Sequence, residues 1–469
     1  ALLLLNLLFL ILNPLLIYIL TEKKKLKMRK SIFRNISYLA VFLFIELIIL
    51  IIIRTYIYKD NSDLQRNSSN DKRILLSIEN TKTMLSTVTT AAPISTNIHN
   101  IVPSKGIWDV WHKFKYHYHV FTGSDWEELS GNQSTCLSTQ STVDRLGDLA
   151  DLIQTWRGPL SLALFIPDIE YILVVSVLNQ HFLKCYPIFQ KSASIHFAYP
   201  SEYPPSNGTL EMRENISKLI RNASCTPSDT KALMKGILAL RPKAMLKWRE
   251  RYAYPQNLLR NLARRSCQTN WTMVSDIDMI TTPGFEEKLN YFFASNKTIC
   301  TKDCAFVVPT YEIKDVVKSL PVNKLELIQL VQNQTAREFH LKVFSLNQRG
   351  SDLRKWEKLP NYNESTLSIG YKIKKYIFGY EPTYISKPNA PFFDERFIGF
   401  GMTRNTQTYE MYAKNYEFYI MDNAFLCHWG FTKLKDRPSW RYSQQYKNRQ
   451  RFDKFAKEIF AKYNRNPTN

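Results

Sequence analysis

The sequence predicts an α/β fold on a mixed, mostly parallel sheet, and three observations carry that reading. Residues 134–140 are a short β-prone run, residues 141–153 place apolar side chains at helical spacing behind Ser141 and Thr142, and residues 160–166 are continuously apolar, as in a buried strand. Trp156-Arg-Gly-Pro159 breaks the chain between the second and third. Strand, helix and strand in this order make a βαβ unit, whose strands pair in parallel.

The chain ahead of that unit reads as a tether. Apolar runs at 1–20 and 36–53 flank the cationic stretch 21–30, and Glu46 is the single charge of the second run. That run is nearly long enough to span a bilayer, and the preceding Lys/Arg cluster places the N-terminus in the cytosol. A type II signal anchor is therefore expected at 36–58, behind a cytoplasmic tail at 1–35. A cleaved signal peptide fits less well, because the run is long and no small-residue cleavage site follows it. Met28 opens a conventional short basic tail and is the expected start, which makes 1–27 an upstream extension; a second membrane span is the rival reading. Residues 59–105 are rich in Asn, Ser and Thr and read as a flexible lumenal stem, leaving 106–469 as the folded domain.

A lumenal compartment has independent support. Asn67, Asn132, Asn207, Asn215, Asn222, Asn270, Asn296, Asn333 and Asn363 each open an Asn-x-Ser/Thr sequon, although Asn270 abuts a strand and risks burial. Seven cysteines include no Cys-x-x-Cys pair of zinc type, and the odd number leaves at least one without an intramolecular partner. Cys300 and Cys304 could pair across a turn; the connectivity stays open. The net charge of +22 would suit nucleic acid, but no basic block is interleaved with a nucleic-acid module, so no nucleic acid is expected. An anionic ligand, a glycan or a membrane surface fits that charge.

Downstream of the βαβ unit, strands are expected at 195–199, 271–280 and 305–310, and helices at 247–265, 285–296, 324–334 and 443–463. From Tyr371 the chain turns aromatic and irregular. The chemistry centres on Asp276 and Asp278 in the strand 271–280. Residues two apart in an extended strand share a face, so these carboxylates would stand side by side and repel unless a cation lay between them. A hard divalent ion completed by phosphate oxygens meets that need. The plain alternative is a strand end, where Asp is common. In open parallel sheets ligands sit beyond the carboxyl ends of strands, which points to a nucleotide-sugar site.

Eight segments then occur in an order that identifies a family. They are Ser141-Thr-Val-Asp144, Trp156-Arg-Gly-Pro-Leu-Ser161, Tyr254-Pro-Gln-Asn-Leu-Leu-Arg-Asn-Leu-Ala-Arg264, Ser275-Asp-Ile-Asp278, Asn323-Lys-Leu-Glu-Leu327, Tyr380-Glu-Pro382, Phe393-Asp-Glu-Arg-Phe397 and Phe425-Leu-Cys-His-Trp-Gly-Phe431. Over 134–463 the chain resembles the β-1,4-glucuronyltransferase family, which includes the second catalytic domain of the LARGE xylosyl/glucuronyltransferases. The resemblance implies a GT-A type glycosyltransferase with a nucleotide-sugar-binding sheet, inverting, dependent on Mn2+ (or Mg2+) and resident in the Golgi membrane through its single-pass anchor. It implies that Asp276, Asp278 and His428 hold the metal against the diphosphate of a UDP-sugar donor.

Other site residues have a chemical reading beside a structural one. Asn257, Arg260 and Asn261 lie on successive turns of one helix, where an Arg could meet a diphosphate or sugar carboxylate, or the three could be a solvated face. Thr139 and Ser141 follow the first strand, where the GT-A pattern places the base of the nucleotide, and could equally cap the next helix. Asp394 or Glu395 is the expected general base, with an Asp394–Arg396 ion pair as the competing possibility. His428 without the resemblance would read as a core histidine. Relatives usually carry His-Lys-Gly-Phe where this chain has His428-Trp-Gly-Phe431, so Lys433 or Lys435 would have to replace the missing Lys. The expected reaction moves glucuronic acid from UDP onto a glycan, with a xylose-ended O-mannosyl chain on a glycoprotein as the expected acceptor. A β-1,3-N-acetylglucosaminyltransferase acting on lactosamine chains and a catalytically silent lumenal glycan-binding protein are the alternatives.

Overall fold

The β-prone run and the apolar run flanking residues 141–153 do pair. In a computed structural model that describes residues 96–132, 135–295, 300, 302–360, 365–434 and 438–465, the chain divides into units 1–90 and 91–469, of which the second holds the described residues. The expected anchor, most of the stem and the sequons at Asn67, Asn296 and Asn363 lie outside them. Among the described residues no helix is long and apolar enough to cross a membrane. The folded part takes in Ile98, which is buried, and the His99 N–H, which donates to Val120 O.

The strands are β1 (Ile107–Trp108), β2 (Phe114–Thr122), β3 (Thr135–Thr142), β4 (Leu160–Phe165), β5 (Ala193–Pro200), β6 (Trp271–Val274), β7 (Ile280–Thr281), β8 (Cys304–Val308), β9 (Thr310–Ile313), β10 (Ala336–Glu338), β11 (Ser368–Lys372), β12 (Thr383–Ser386), β13 (Glu417–Asp422) and β14 (Leu426–Trp429). One sheet runs β1-β2-β5-β4-β3-β6-β12-β8-β13-β11 and a smaller one β10-β9-β14-β7. Strands β5, β4, β3 and β6 are parallel neighbours, as the βαβ reading requires. Beyond β6 the large sheet alternates, because β12 is antiparallel to both β6 and β8 while β13 is parallel to β8. The sheet is thus mixed, and the mostly parallel part is confined to its centre.

Two faces of β4 bury two cores. Leu160, Leu162 and Leu164 point into a large cluster with the helix α1 (Leu149–Thr155), while Ala163 and Phe165 meet Leu258, Leu259 and Leu262 of α2 (Gln256–Ser266) on the other side. Each fully buried Leu contributes about 1.5–3 kcal/mol. The predicted helix at 247–265 is in fact two, Lys243–Arg251 and α2, divided at Tyr252–Pro255, where Pro cannot continue the ladder. The predicted helix at 141–153 likewise starts late: Ser141 and Thr142 finish β3, and a 3-10 turn over Val143–Asp148, capped by the Thr142 hydroxyl, precedes α1. The helices α3 (Phe285–Ser295), α4 (Lys324–Gln332), α5 (Arg404–Ala413) and α6 (Trp440–Lys462) complete the set used below.

Disulfides join Cys136 to Cys267, Cys185 to Cys225 and Cys300 to Cys304, and Cys427 is buried and free. The sequons at Asn207, Asn215, Asn222, Asn270 and Asn333 are all exposed, Asn270 included, because it sits on the turn before β6. Cys136–Cys267 fastens the end of α2 to β3 across a sequence separation of 131. Replacing both cysteines by Ser is expected to lower stability by about 3–5 kcal/mol, the entropy of a loop of this size, in denaturant unfolding.

His196 is fully buried between β4 and β2. Its Nδ1 accepts from the His119 N–H at 2.9 Å, and Ser161 Oγ already donates to Ala263 O, so His196 Nε2 must donate to Ser161. Burial holds His196 well below the ordinary value of 6.5, and holds His117, His119 and His181 below it too. His428 shifts the other way. A depressed folded value stabilises above the unfolded value and is lost as pH falls below it. The melting temperature should therefore decline as pH is lowered from about 6.5 to 5, before carboxylates protonate, in a pH series of thermal melts.

Candidate active site

Helix α2 is polar along Asn257, Arg260, Asn261 and Arg264, yet all four side chains are buried. The reason is the irregular loop at 388–403, whose backbone they satisfy. Asn257 Nδ2 donates to Asp394 O and Thr403 O, Asn261 Nδ2 donates to Phe393 O and Glu395 Oε1, and the Phe393 N–H donates to Asn261 Oδ1. Arg264 donates to the carbonyls of Pro388, Ala390 and Pro391. The stripe is not solvated, and Asn257 and Asn261 are turned to the loop rather than into the cleft described next. Arg260 alone of the four lines the cleft described below.

The loop fixes Asp394 and Glu395 as well. Arg396 clasps both Asp394 oxygens at 2.6–3.0 Å, and Glu395 sits partly buried against Asn261 and Arg265. Neither is among the residues lining the cleft.

The expected strand at 271–280 ends early. Ser275 still donates to Ser138 O, and then the chain leaves the sheet in a turn closed by the Met279 N–H on Asp276 O before β7 joins the smaller sheet. Asp276 and Asp278 are therefore not side by side on a strand. Asp276 Oδ1 receives Arg404 Nη2 at 2.8 Å, Arg260 Nη2 at 3.2 Å and Gln140 Nε2 at 3.3 Å. Burial acts to raise its pKa, but the two guanidiniums outweigh that and hold it well below the usual carboxylate range. Asp278 turns the other way: its Oδ2 meets Arg145 Nη2 at 2.7 Å and His428 Nε2 at 3.5 Å, and its pKa is lowered despite burial.

His428 comes from β14, which is parallel to β9 and antiparallel to β7. Its Nδ1 lies 3.3 Å from Gly430 O, so Nδ1 is the donor and Nε2 is directed at Asp278. That carbonyl position depends on Gly430 at φ +79°, a left-handed conformation that suits Gly. Buried Glu312 anchors the strap that follows, since it accepts from Arg337 Nε and the Thr432 hydroxyl while Arg337 Nη2 donates to Thr432 O. Trp429 packs half-buried against a further apolar cluster that includes Tyr311, Ile313 and Cys427, and Lys433, not Trp429, lines the cleft. Lys435 lies outside the described residues.

These groups open into one cleft of about 1070 Å³. Its walls carry six arginines and Lys433 against five carboxylates, a balance that favours an anionic ligand. Of the residues chosen from sequence, Ser141, Arg260, Asp276, Asp278 and His428 line it; Thr139 is buried outside the lining, with its hydroxyl unpartnered. Gln140, Arg145, Glu381 and Arg404 line it and were missed. Alternation along β3 could have exposed Gln140, whose Oε1 accepts from the Tyr254 hydroxyl. Glu381 belongs to Tyr380-Glu-Pro382, where no local pattern marks it as chemical. It enters β12 beside the exit of β6, is held by Asn347 Nδ2 at 3.2 Å, and burial raises its pKa against the pull of Arg404 and Arg260.

A family pattern described as "Glycosyl-transferase for dystroglycan" (Glyco_transf_49) matches residues 134–464. The chain belongs to this glycosyltransferase family. It is similar to human Beta-1,4-glucuronyltransferase 1, 30% identical over 362 residues that cover 75% of this chain and 80% of that one. The bovine protein is 29% identical over 361 residues, with the same coverage. Mouse Xylosyl- and glucuronyltransferase LARGE1 is 25% identical over 336 residues, 72% of this chain and 35% of its own length. The crystal structure of S. aureus TarS 1–349 with UDP-GlcNAc aligns over 70% of this chain and 71% of that one at 7% identity, but its TM-score of 0.32 carries no argument.

In this glycosyltransferase no three His, Cys, Asp or Glu side chains converge into a ready-made metal cluster among the described residues. Asp278 and His428 do converge, and Asp278 Oδ1 is buried without a hydrogen-bond partner. Magnesium and manganese typically take one or two protein carboxylates and complete their shell with substrate phosphate oxygens, so these residues fit a divalent ion shared with a diphosphate. The loop clamp is open to direct test. Asn261→Ala strips the Phe393 backbone of two partners and Glu395 of one, and should cost about 2–4 kcal/mol in thermal or denaturant unfolding.

Proposed function

We propose that this enzyme transfers glucuronic acid from UDP-glucuronate to a glycan hydroxyl with inversion, on a GT-A type scaffold, in the Golgi lumen behind a signal anchor at 36–58. The observation that carries the reading is the convergence of Asp278 and His428, from two different elements, in an arginine-rich cleft of a chain whose relatives are named glucuronyltransferases. The exposed sequons and the disulfides support a secretory compartment. The volume of about 1070 Å³ is at the upper end for a single-ligand pocket, roughly 300–1,000 Å³, and leaves room for donor and acceptor sugar together.

Asp278 and His428 would hold Mn2+ or Mg2+, which when bound neutralises charge on the departing UDP. Lys433 stands in for the family Lys replaced by Trp429. Arg260 and Arg404 keep Asp276 ionised and fix the start of the turn that presents Asp278. The acceptor oxygen attacks the anomeric carbon as the bond from that carbon to the diphosphate breaks; UDP leaves with the electron pair, and the hydroxyl proton passes to a base. Asp394, the base expected from sequence, is committed to Arg396, so Glu381 takes that role: it lines the cleft, beside Asp276, and burial makes it more basic than a free carboxylate.

A panel of UDP-sugars scored for Mn2+-dependent donor hydrolysis should show UDP-glucuronate as the preferred donor; predominant hydrolysis of UDP-N-acetylglucosamine would overturn the donor assignment. Glu381→Gln should lower turnover by about 10²–10⁴-fold while UDP affinity is retained, since the change removes a proton acceptor but preserves shape.

A further inference from the structure

Asp278 already has a cation on it. Arg145 Nη2 lies 2.7 Å from Asp278 Oδ2, the same oxygen that His428 Nε2 approaches at 3.5 Å, while Arg145 Nε is held by Asp148 Oδ2 at 2.9 Å on the same 3-10 turn. The charge of Asp276 is met separately by Arg260 and Arg404, so Arg145 is the guanidinium that meets the charge of Asp278. We propose that Arg145 is a resident counter-cation at Asp278, which it must leave before a divalent ion can enter, and that the diphosphate of the donor draws it away. This inference rests on the metal-dependent reading above.

A guanidinium does not lose its proton, so it can yield the position only by moving. Its side chain is 53% exposed at the cleft wall, which gives it room to move. A planar fork of donors matches phosphate oxygens, so a bound diphosphate offers Arg145 a second partner as good as Asp278. Metal and nucleotide then strengthen each other, because each favours the arrangement in which Arg145 has swung from Asp278.

The test is a titration of Mn2+ into the lumenal domain with and without UDP, with free Mn2+ read by electron paramagnetic resonance, on the native protein and on Arg145→Ala, Arg145→Gln and Arg145→Lys. Arg145→Ala and Arg145→Gln should bind Mn2+ alone about five- to tenfold tighter than the native protein, as expected for removing a half-exposed competing charge, and UDP should enhance their Mn2+ binding less. Arg145→Lys, which keeps the charge, should stay close to the native protein for Mn2+ alone. If both neutral variants bind Mn2+ alone no tighter while the native protein binds it with UDP, the counter-cation is refuted and the metal-dependent reading stands. Absence of Mn2+ binding by the native protein even with UDP would refute both.

Discussion

The pairing of the Asp276 carboxylate with two buried arginines is the interaction on which the site depends. Asp276 ends the parallel half of the sheet, and it is met on one oxygen by guanidiniums from two helices that flank the loop at 388–403, Arg260 of α2 and Arg404 of α5. Losing the carboxylate would leave two buried guanidiniums facing each other without a counter-charge, which is costly in a way that losing an exposed pair is not. With Asp276 so committed, the chain must turn immediately, and that turn carries Asp278 across to His428. Two carboxylates only two residues apart thus have different partners: Asp276 joins α2 and α5, and Asp278 meets Arg145 and His428.

The same economy recurs around the cleft. The loop at 388–403 has no regular hydrogen-bond ladder, and the stripe of α2 supplies one from side chains. The disulfide from Cys267 to Cys136 fixes that helix to β3, whose end delivers Gln140 and Ser141 to the same cleft. On the far wall, Glu312 and Arg337 hold the strap from His428 to Lys433, so residues that line the cleft are positioned by groups outside its lining.

Much of the fold was legible because it follows from local patterns. The βαβ unit, the parallel centre of the sheet and the helices near 285, 324 and 443 came from periodicity and breakers. The antiparallel strands β12 and β11, and the helix α5, were not, since residues beyond Tyr371 owe their conformation to tertiary pairing rather than to any period. In the site, Asp276, Asp278, His428 and Arg260 could be named from residue type and order. The true surroundings of Asp394 and Asn261 could not, because a polar residue that serves a ligand and one that serves a loop backbone look alike in sequence. Asp394 illustrates the point: the Arg two residues along was visible, but which role it enforced needed the loop geometry.

The central claim is that Asp278, together with His428, forms the protein half of a metal-assisted diphosphate site. Calorimetric titration of UDP into the protein, in Mn2+ and then in EDTA, addresses it most directly when the native protein is run beside Asp278→Asn. The account predicts tighter UDP binding with Mn2+ than with EDTA in the native protein and no difference between the two in Asp278→Asn. Equal affinity with Mn2+ and EDTA in the native protein would contradict it.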